Sequence, residues 1–142
     1  LVELWTPKAD MLKGYCEYNC NLCGEVCPTD AILPLDLAIK QKLPIGMAYF
    51  DKNKCIPFVR NEDCLVCEEH CPLPDKAIKF QLKEAILPDG QTKVIKYPYV
   101  VRELCIGCGI CQHKCPVKDG RGIYVTTENE KRIVTDDADM AS

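Results

Sequence analysis

Cysteine constrains this chain more than anything else in it: 12 of its 142 residues are cysteine, and they fall into three groups of four. In chain order these are Cys16, Cys20, Cys23 and Cys27; Cys55, Cys64, Cys67 and Cys71; and Cys105, Cys108, Cys111 and Cys115. Every group ends in the pattern C-x2-C-x3-C-P. Only the opening interval differs: three residues in CEYNCNLCGEVCP, eight in CIPFVRNEDCLVCEEHCP and two in CIGCGICQHKCP. In a chain this short, whatever those thiols bind occupies space that a side-chain core would otherwise fill.

Three chemistries use thiols at such density: disulfides, zinc and iron–sulfur clusters. A disulfide framework suits short secreted chains, but LVELWTPKAD has neither the charged nor the apolar stretch of a secretion signal. Nor does an arbitrary framework repeat one proline-terminated spacing. Zinc ribbons favour paired C-x2-C knuckles separated by a longer loop, whereas the third group sets three cysteines in succession at x2 spacing. That group is the full C-x2-C-x2-C-x3-C-P run associated with [4Fe-4S] clusters. All twelve cysteines are therefore candidate cofactor and metal ligands. Three clusters are expected if every group is complete, and otherwise two.

The spacing has a geometric reason. Cysteines three apart on a tightly turning backbone can aim their sulfurs at one centre, leaving the intervening amides free to donate to sulfur. The fourth, three residues further and before a proline, is carried out of that turn, because proline holds its predecessor extended. Leu22, Val26, Ile56, Leu65, Val66, Ile106 and Ile110 lie between and beside the cysteines, where they can screen clusters from water. Gly107 and Gly109 let the third loop bend close to the metal, and Gly24 serves the first loop in the same way.

Outside the motifs the pattern is one of short elements. Residues 1–14 read as an irregular lead, and Ala31 and Ile32 as a short strand or turn. LDLAIKQKL has the spacing of a short helix ended by Pro44, and IGMAYFDKNK reads as a strand. AIKFQLKEAI and TKVIKYPYVV flank Pro88-Asp89-Gly90 and predict a hairpin. GIYVTT and KRIVT predict two further strands, and DDADMAS a frayed tail. A formal charge of -3 offers no basic field for nucleic acid. No window is long and apolar enough for a transmembrane segment.

CGEVCPTDAI, CLVCEEHCP and LCIGCGICQHKCPV carry a resemblance to bacterial polyferredoxins over roughly residues 14–125. Among these it is similar to the ferredoxin-type electron-transfer proteins of periplasmic nitrate reductase and methylamine utilisation. The resemblance implies an α+β, ferredoxin-like fold of cluster-binding loops, short helices and small antiparallel hairpins, with motifs paired about a pseudo-twofold. The whole chain, residues 1–142, is expected to be one polyferredoxin domain: 1–14 the lead, 15–54 the first motif and connector, 55–98 the second motif and hairpin, and 99–142 the third motif and tail. Family members commonly carry four motifs, so with Leu1 in place of Met an upstream segment is expected to be missing. The implied function is electron relay to or from a redox partner protein or oxidoreductase subunit, including a membrane-bound quinol-side partner. The alternative is a structural or regulatory metal-binding interaction module. Cytoplasmic location is expected, with export in the folded state to the periplasm as the alternative.

Three motifs leave ligand exchange with one motif unpaired. One solution puts Cys71 with Cys16, Cys20 and Cys23, and Cys27 with Cys55, Cys64 and Cys67. The other exchanges ligands between the second and third motifs and lets the first close on itself. The family's pairing of inner with inner motifs favours the first solution. The interval from Cys55 to Cys64 reads as a surface loop folded back by Pro57, with Asp63 the substitute ligand should Cys55 not serve. His70 and His113 read more simply as exposed or hydrogen-bonded side chains than as ligands. Lys52, Lys54, Lys114 and Lys118 could steer an acidic partner, though a solvated face is the simpler reading. No catalytic residue, P-loop or dinucleotide fingerprint is found. With so little core, the metal-free chain is expected to be largely unfolded.

Overall fold

The computed structural model describes residues 8–132. In chain order its elements are α1 (Leu22–Glu25), α2 (Leu37–Lys40), β1 (Met47–Phe50), α3 (Ile56–Arg60), α4 (Val66–Glu69), β2 (Ile78–Ile86), β3 (Thr92–Val100), α5 (Ile110–Lys114) and β4 (Ile123–Thr126). Short helices and two antiparallel strand pairs make this a small α+β fold.

The longest elements come from the most strongly patterned sequence. β2 and β3 pair from Ile78↔Val100 to Ile86↔Thr92. Their turn is closed by the Leu87 amide donating to the Gln91 carbonyl at 2.8 Å, with Gly90 in the left-handed region at φ 84°. Pro98 sits within β3 because a two-stranded ribbon leaves one side of each strand without a ladder partner.

β1 and β4 are short and far apart in sequence, yet they pair from Met47↔Thr126 to Phe50↔Ile123. They therefore bracket the second and third cysteine motifs, with the β2–β3 hairpin between those motifs. One face of this small sheet, carrying Ala48 and Ile123, joins Ile78, Cys111 and Cys115 in the buried core. Strands as short as these are marginal alone, so packing on the motif loops must hold them.

Local signals set the helices. Asp36 caps α2 by accepting the Ala38 amide at 2.8 Å, but the helix is only 4 residues long, shorter than LDLAIKQKL predicts. Beyond it the Lys40 and Gln41 side chains donate to carbonyls of the first motif, Lys40 to Glu17 and Tyr18 and Gln41 to Tyr18. The interval from Cys55 to Cys64 is not the bare surface loop predicted from sequence. It folds into α3, with Pro57 in the first turn, where a missing N–H costs nothing, and Asn61 ending the helix at φ 53°. Residues 28–32 form turns rather than a strand, and residues 8–14 are irregular, as expected. GIYVTT forms β4, whereas the expected strand KRIVT, beyond its first two residues, and the tail lie outside the described residues.

A tight backbone approach joins the residue before β1 to the third motif. Gly107 has φ +70°, and a Cβ there would run into the backbone of Gly46. Gly107→Ala is expected to lower the stability of the iron-loaded protein by about 1–3 kcal/mol, read as a lower anaerobic melting temperature. Gly14→Ala, where a Cβ meets nothing within 4 Å, should melt like the parent.

Candidate metal centre

The third motif and the last cysteine of the second surround one space. Cys71, Cys105, Cys108 and Cys111 line a small, part-open cavity, walled otherwise by apolar groups such as Ala48, Ile78, Ile106, Ile110 and Val125. The loop from Cys105 reaches α5 through Gly107 and Gly109, both at positive φ. The room their missing side chains leave is not taken by the metal side, as the sequence suggested. The Gly46 backbone fills it at Gly107 and Met11 fills it at Gly109. Amides of Ile110 and Gln112 point at the sulfurs of Cys108 and Cys111.

A second set comprises Cys55, Cys64, Cys67 and Cys115, each within electrostatic reach of others in the set. Cys55 precedes α3 and Cys67 lies on α4, while Cys115 follows α5 and is buried against Gly122, whose amide donates to its sulfur at 3.3 Å. Cys55 packs on the other side of the same glycine. The two sets are thus built crosswise: Cys71 leaves the second motif for the third, and Cys115 leaves the third for the second.

The first motif is placed differently. Cys23 is exposed and Cys16, Cys20 and Cys27 are half-buried. The Cys27 sulfur turns into its own following turn, where the amides of Ile32, Thr29 and Ala31 and the Thr29 hydroxyl face it. Those donors bring its pKa down to about 7. The pairing favoured from sequence joins Cys27 to Cys55, Cys64 and Cys67, and Cys71 to the first motif; in the structure the neighbours of Cys55 and Cys67 include Cys115, and those of Cys108 and Cys111 include Cys71. The reason is the β1–β4 closure, which folds the second and third motifs face to face and occupies with Cys115 the place proposed for Cys27.

The chemistry of the enclosed thiols fits a polynuclear cationic centre. Burial, then the neighbouring charges of Cys64, Cys115 and Asp51, pushes Cys55 up to about 12. Burial likewise takes Cys108 up to about 11, against the opposing amide of Ile110. Cys67 and Cys111 are raised further, first by burial and then by surrounding cysteines. Four thiolates in such a pocket repel one another and lack water, so the arrangement calls for compensating positive charge at its middle. Among the described residues, no three or more Cys, His, Asp or Glu side chains close around a single metal ion.

Several neighbours take roles that spacing did not reveal. Asp63, considered as a substitute ligand, accepts the Lys96 amide at 2.9 Å, and Asn61 accepts the Tyr97 hydroxyl at 2.9 Å. With Phe58 against Tyr97, ring centres 5.1 Å apart, these contacts fasten the Cys55–Cys64 segment to β3. Arg121 donates to the Cys115 carbonyl at 2.5 Å. The exposed His70 ring pairs with the Val66 carbonyl at 2.9 Å. His113 is half-buried against Tyr15, and its Nδ1 is enclosed without a partner. Lys54 pairs with Asp51 at 3.4 Å, while Lys52 and Lys114 lie over the rings of Phe58 and Tyr15. Screening by apolar side chains holds for Ile106 and Ile110, both buried, but Leu22 and Val26 of the first motif are 56% and 70% exposed.

With crosswise cysteine sets and amides at their sulfurs, the class is that of an iron–sulfur protein. The 4Fe-4S binding domain family, Fer4, matches residues 98–118. Methylamine utilization ferredoxin-type protein MauM of Methylorubrum extorquens is 30% identical over 93 residues, covering 66% of this chain and 40% of that protein. Ferredoxin-type protein NapG of Haemophilus influenzae is 27% identical over 119 residues, covering 83% of this chain and 42% of its own length. An uncharacterized polyferredoxin-like protein of Methanocaldococcus jannaschii is 28% identical over 98 residues, 69% of this chain and 38% of its own. The chain therefore spans about two fifths of the length of these curated relatives. No solved structure matches. The chain is thus similar to ferredoxin-type proteins and polyferredoxins, and its residues 98–118 match a 4Fe-4S binding domain.

Proposed function

We propose that the protein relays single electrons through [4Fe-4S] clusters to or from a partner oxidoreductase and has no substrate site of its own. The crosswise assembly of Cys71 with Cys105, Cys108 and Cys111, and of Cys115 with Cys55, Cys64 and Cys67, carries this reading. On it, each set holds one cluster, and Cys16, Cys20, Cys23 and Cys27 serve a further one. The order strand, motif, hairpin, motif, strand, closed by β1 with β4, supports a ferredoxin-like pseudo-twofold pair.

When bound, a cluster supplies a one-electron couple that side chains lack. The protein's residues set its conditions. The cysteines fix its position, Ile106 and Ile110 exclude water, and the amides of Gly122, Ile110 and Gln112 donate to ligand sulfur, which favours the reduced state. The methylamine-utilisation name of one relative and the ferredoxin-type names of others support a redox enzyme as partner. Among the described residues no helix is long and apolar enough to cross a membrane. Cluster loading in a reducing cytoplasm, followed or not by export, belongs to the same proposal.

Anaerobic iron and sulfide analysis with EPR of the reduced protein tests it. About twelve irons and a reversible, reductant-bleached visible band are expected. A colourless protein loaded with zinc would overturn the relay in favour of a structural metal module.

A further inference from the structure

The three cysteine groups are not equally placed with respect to one another. The Cys16 amide donates to the Cys108 carbonyl at 2.8 Å, and Cys16 lies within electrostatic reach of Cys108. Beside that bond Tyr15 packs edge-on against His113, and Met11 fills the space at Gly109. The first motif is therefore seated on the loop that carries Cys105, Cys108 and Cys111. From α5, which follows that loop, Cys111 lies within electrostatic reach of Cys67, and the next residue after the helix, Cys115, within reach of Cys55.

We infer that the three groups form a line, with the group of Cys71, Cys105, Cys108 and Cys111 in the middle. The first motif forms one end and the Cys55 group the other. An electron crossing the protein then passes through the middle group, and the Cys16–Cys108 hydrogen bond gives it a bonded path to the first motif. Each centre accepts one electron and gives up one, with no atom or proton transferred, and the external donor and acceptor are the one-electron partners proposed above. The inference rests on that reading, in which every group holds a cluster.

The test is magnetic, because reduced clusters broaden one another's EPR signals only as near neighbours. In the iron-loaded full chain, Cys64→Ala with Cys67→Ala removes one end of the line. The two remaining centres should stay spin-coupled. Cys105→Ala with Cys108→Ala removes the middle, and the remaining two should give isolated, uncoupled signals. Coupling lost in the first variant, or kept in the second, overturns the order. Should the second variant fail to load, the first decides alone, since a middle position for the Cys55 group would leave its remaining pair uncoupled. Iron well short of about twelve per unmodified chain would overturn the relay reading itself, and the line with it.

Discussion

Cys71→Ala is expected to disable the centre built on Cys105, Cys108 and Cys111, while the cysteines that precede Cys71 in its own motif keep theirs. Iron should fall from about twelve to about eleven per chain if one iron is lost, or to about eight if the whole cluster is lost. The EPR signal that disappears should be the one that Cys108→Ala also removes, not the one that Cys64→Ala removes. Cys115→Ala should do the reverse and strike the Cys55 set. The reason is the crosswise build: Cys71 lines the cavity of the third motif, and Cys115 is buried against Gly122 and Cys55. If each substitution silenced only the motif in which it lies, the exchange would be wrong even with all twelve cysteines as ligands.

Removing the iron should have a still larger effect on the molecule. Among the described residues the buried apolar set is small, and Cys55, Cys111 and Cys115 belong to it. The core cluster around Ile123 contains Cys111 and Cys115 and is flanked by Cys67 and Cys105. Without metal these cysteines contribute only as small apolar groups, and β1 and β4, 4 residues each, have little else to pack on. Anaerobic chelation should abolish the cooperative melting transition and most of the near-ultraviolet circular dichroism. Binding free energy is here folding free energy. A chelated protein that kept a native-like spectrum and a sharp melt would show that the side-chain core suffices.

What could be read from the sequence follows the range of the interactions involved. Cysteine spacing is local, so all twelve candidate ligands were visible from it. The β2–β3 hairpin was equally legible, because Pro88-Asp89-Gly90 fixes the turn and the turn fixes the register. The β1–β4 pairing was not legible: Ala48 and Val125 are neighbours across a strand pair that no turn joins, and nothing near either one signals the other. Since that pairing decides which motifs face each other, the sequence leaves two exchanges open, one between the first and second motifs and one between the second and third. α3 was missed for a different reason. From sequence Pro57 reads as a loop residue, yet in a helix's first turn proline is favoured, and burial of Pro57 and contact of Phe58 with Tyr97 complete the segment.

The same strand closure sets a timetable for biosynthesis. A ribosome releases the chain from its N-terminus, so Cys55, Cys64 and Cys67 emerge long before Cys115 exists to join them. On the assignment proposed here, the set they begin stays one thiol short through the translation of the whole β2–β3 hairpin. Until β4 arrives to zip against β1, nothing shields the waiting thiols from oxidation or from a stray metal. The assembly machinery that delivers iron and sulfide must therefore act on a nearly finished polypeptide, or guard an open one in the meantime.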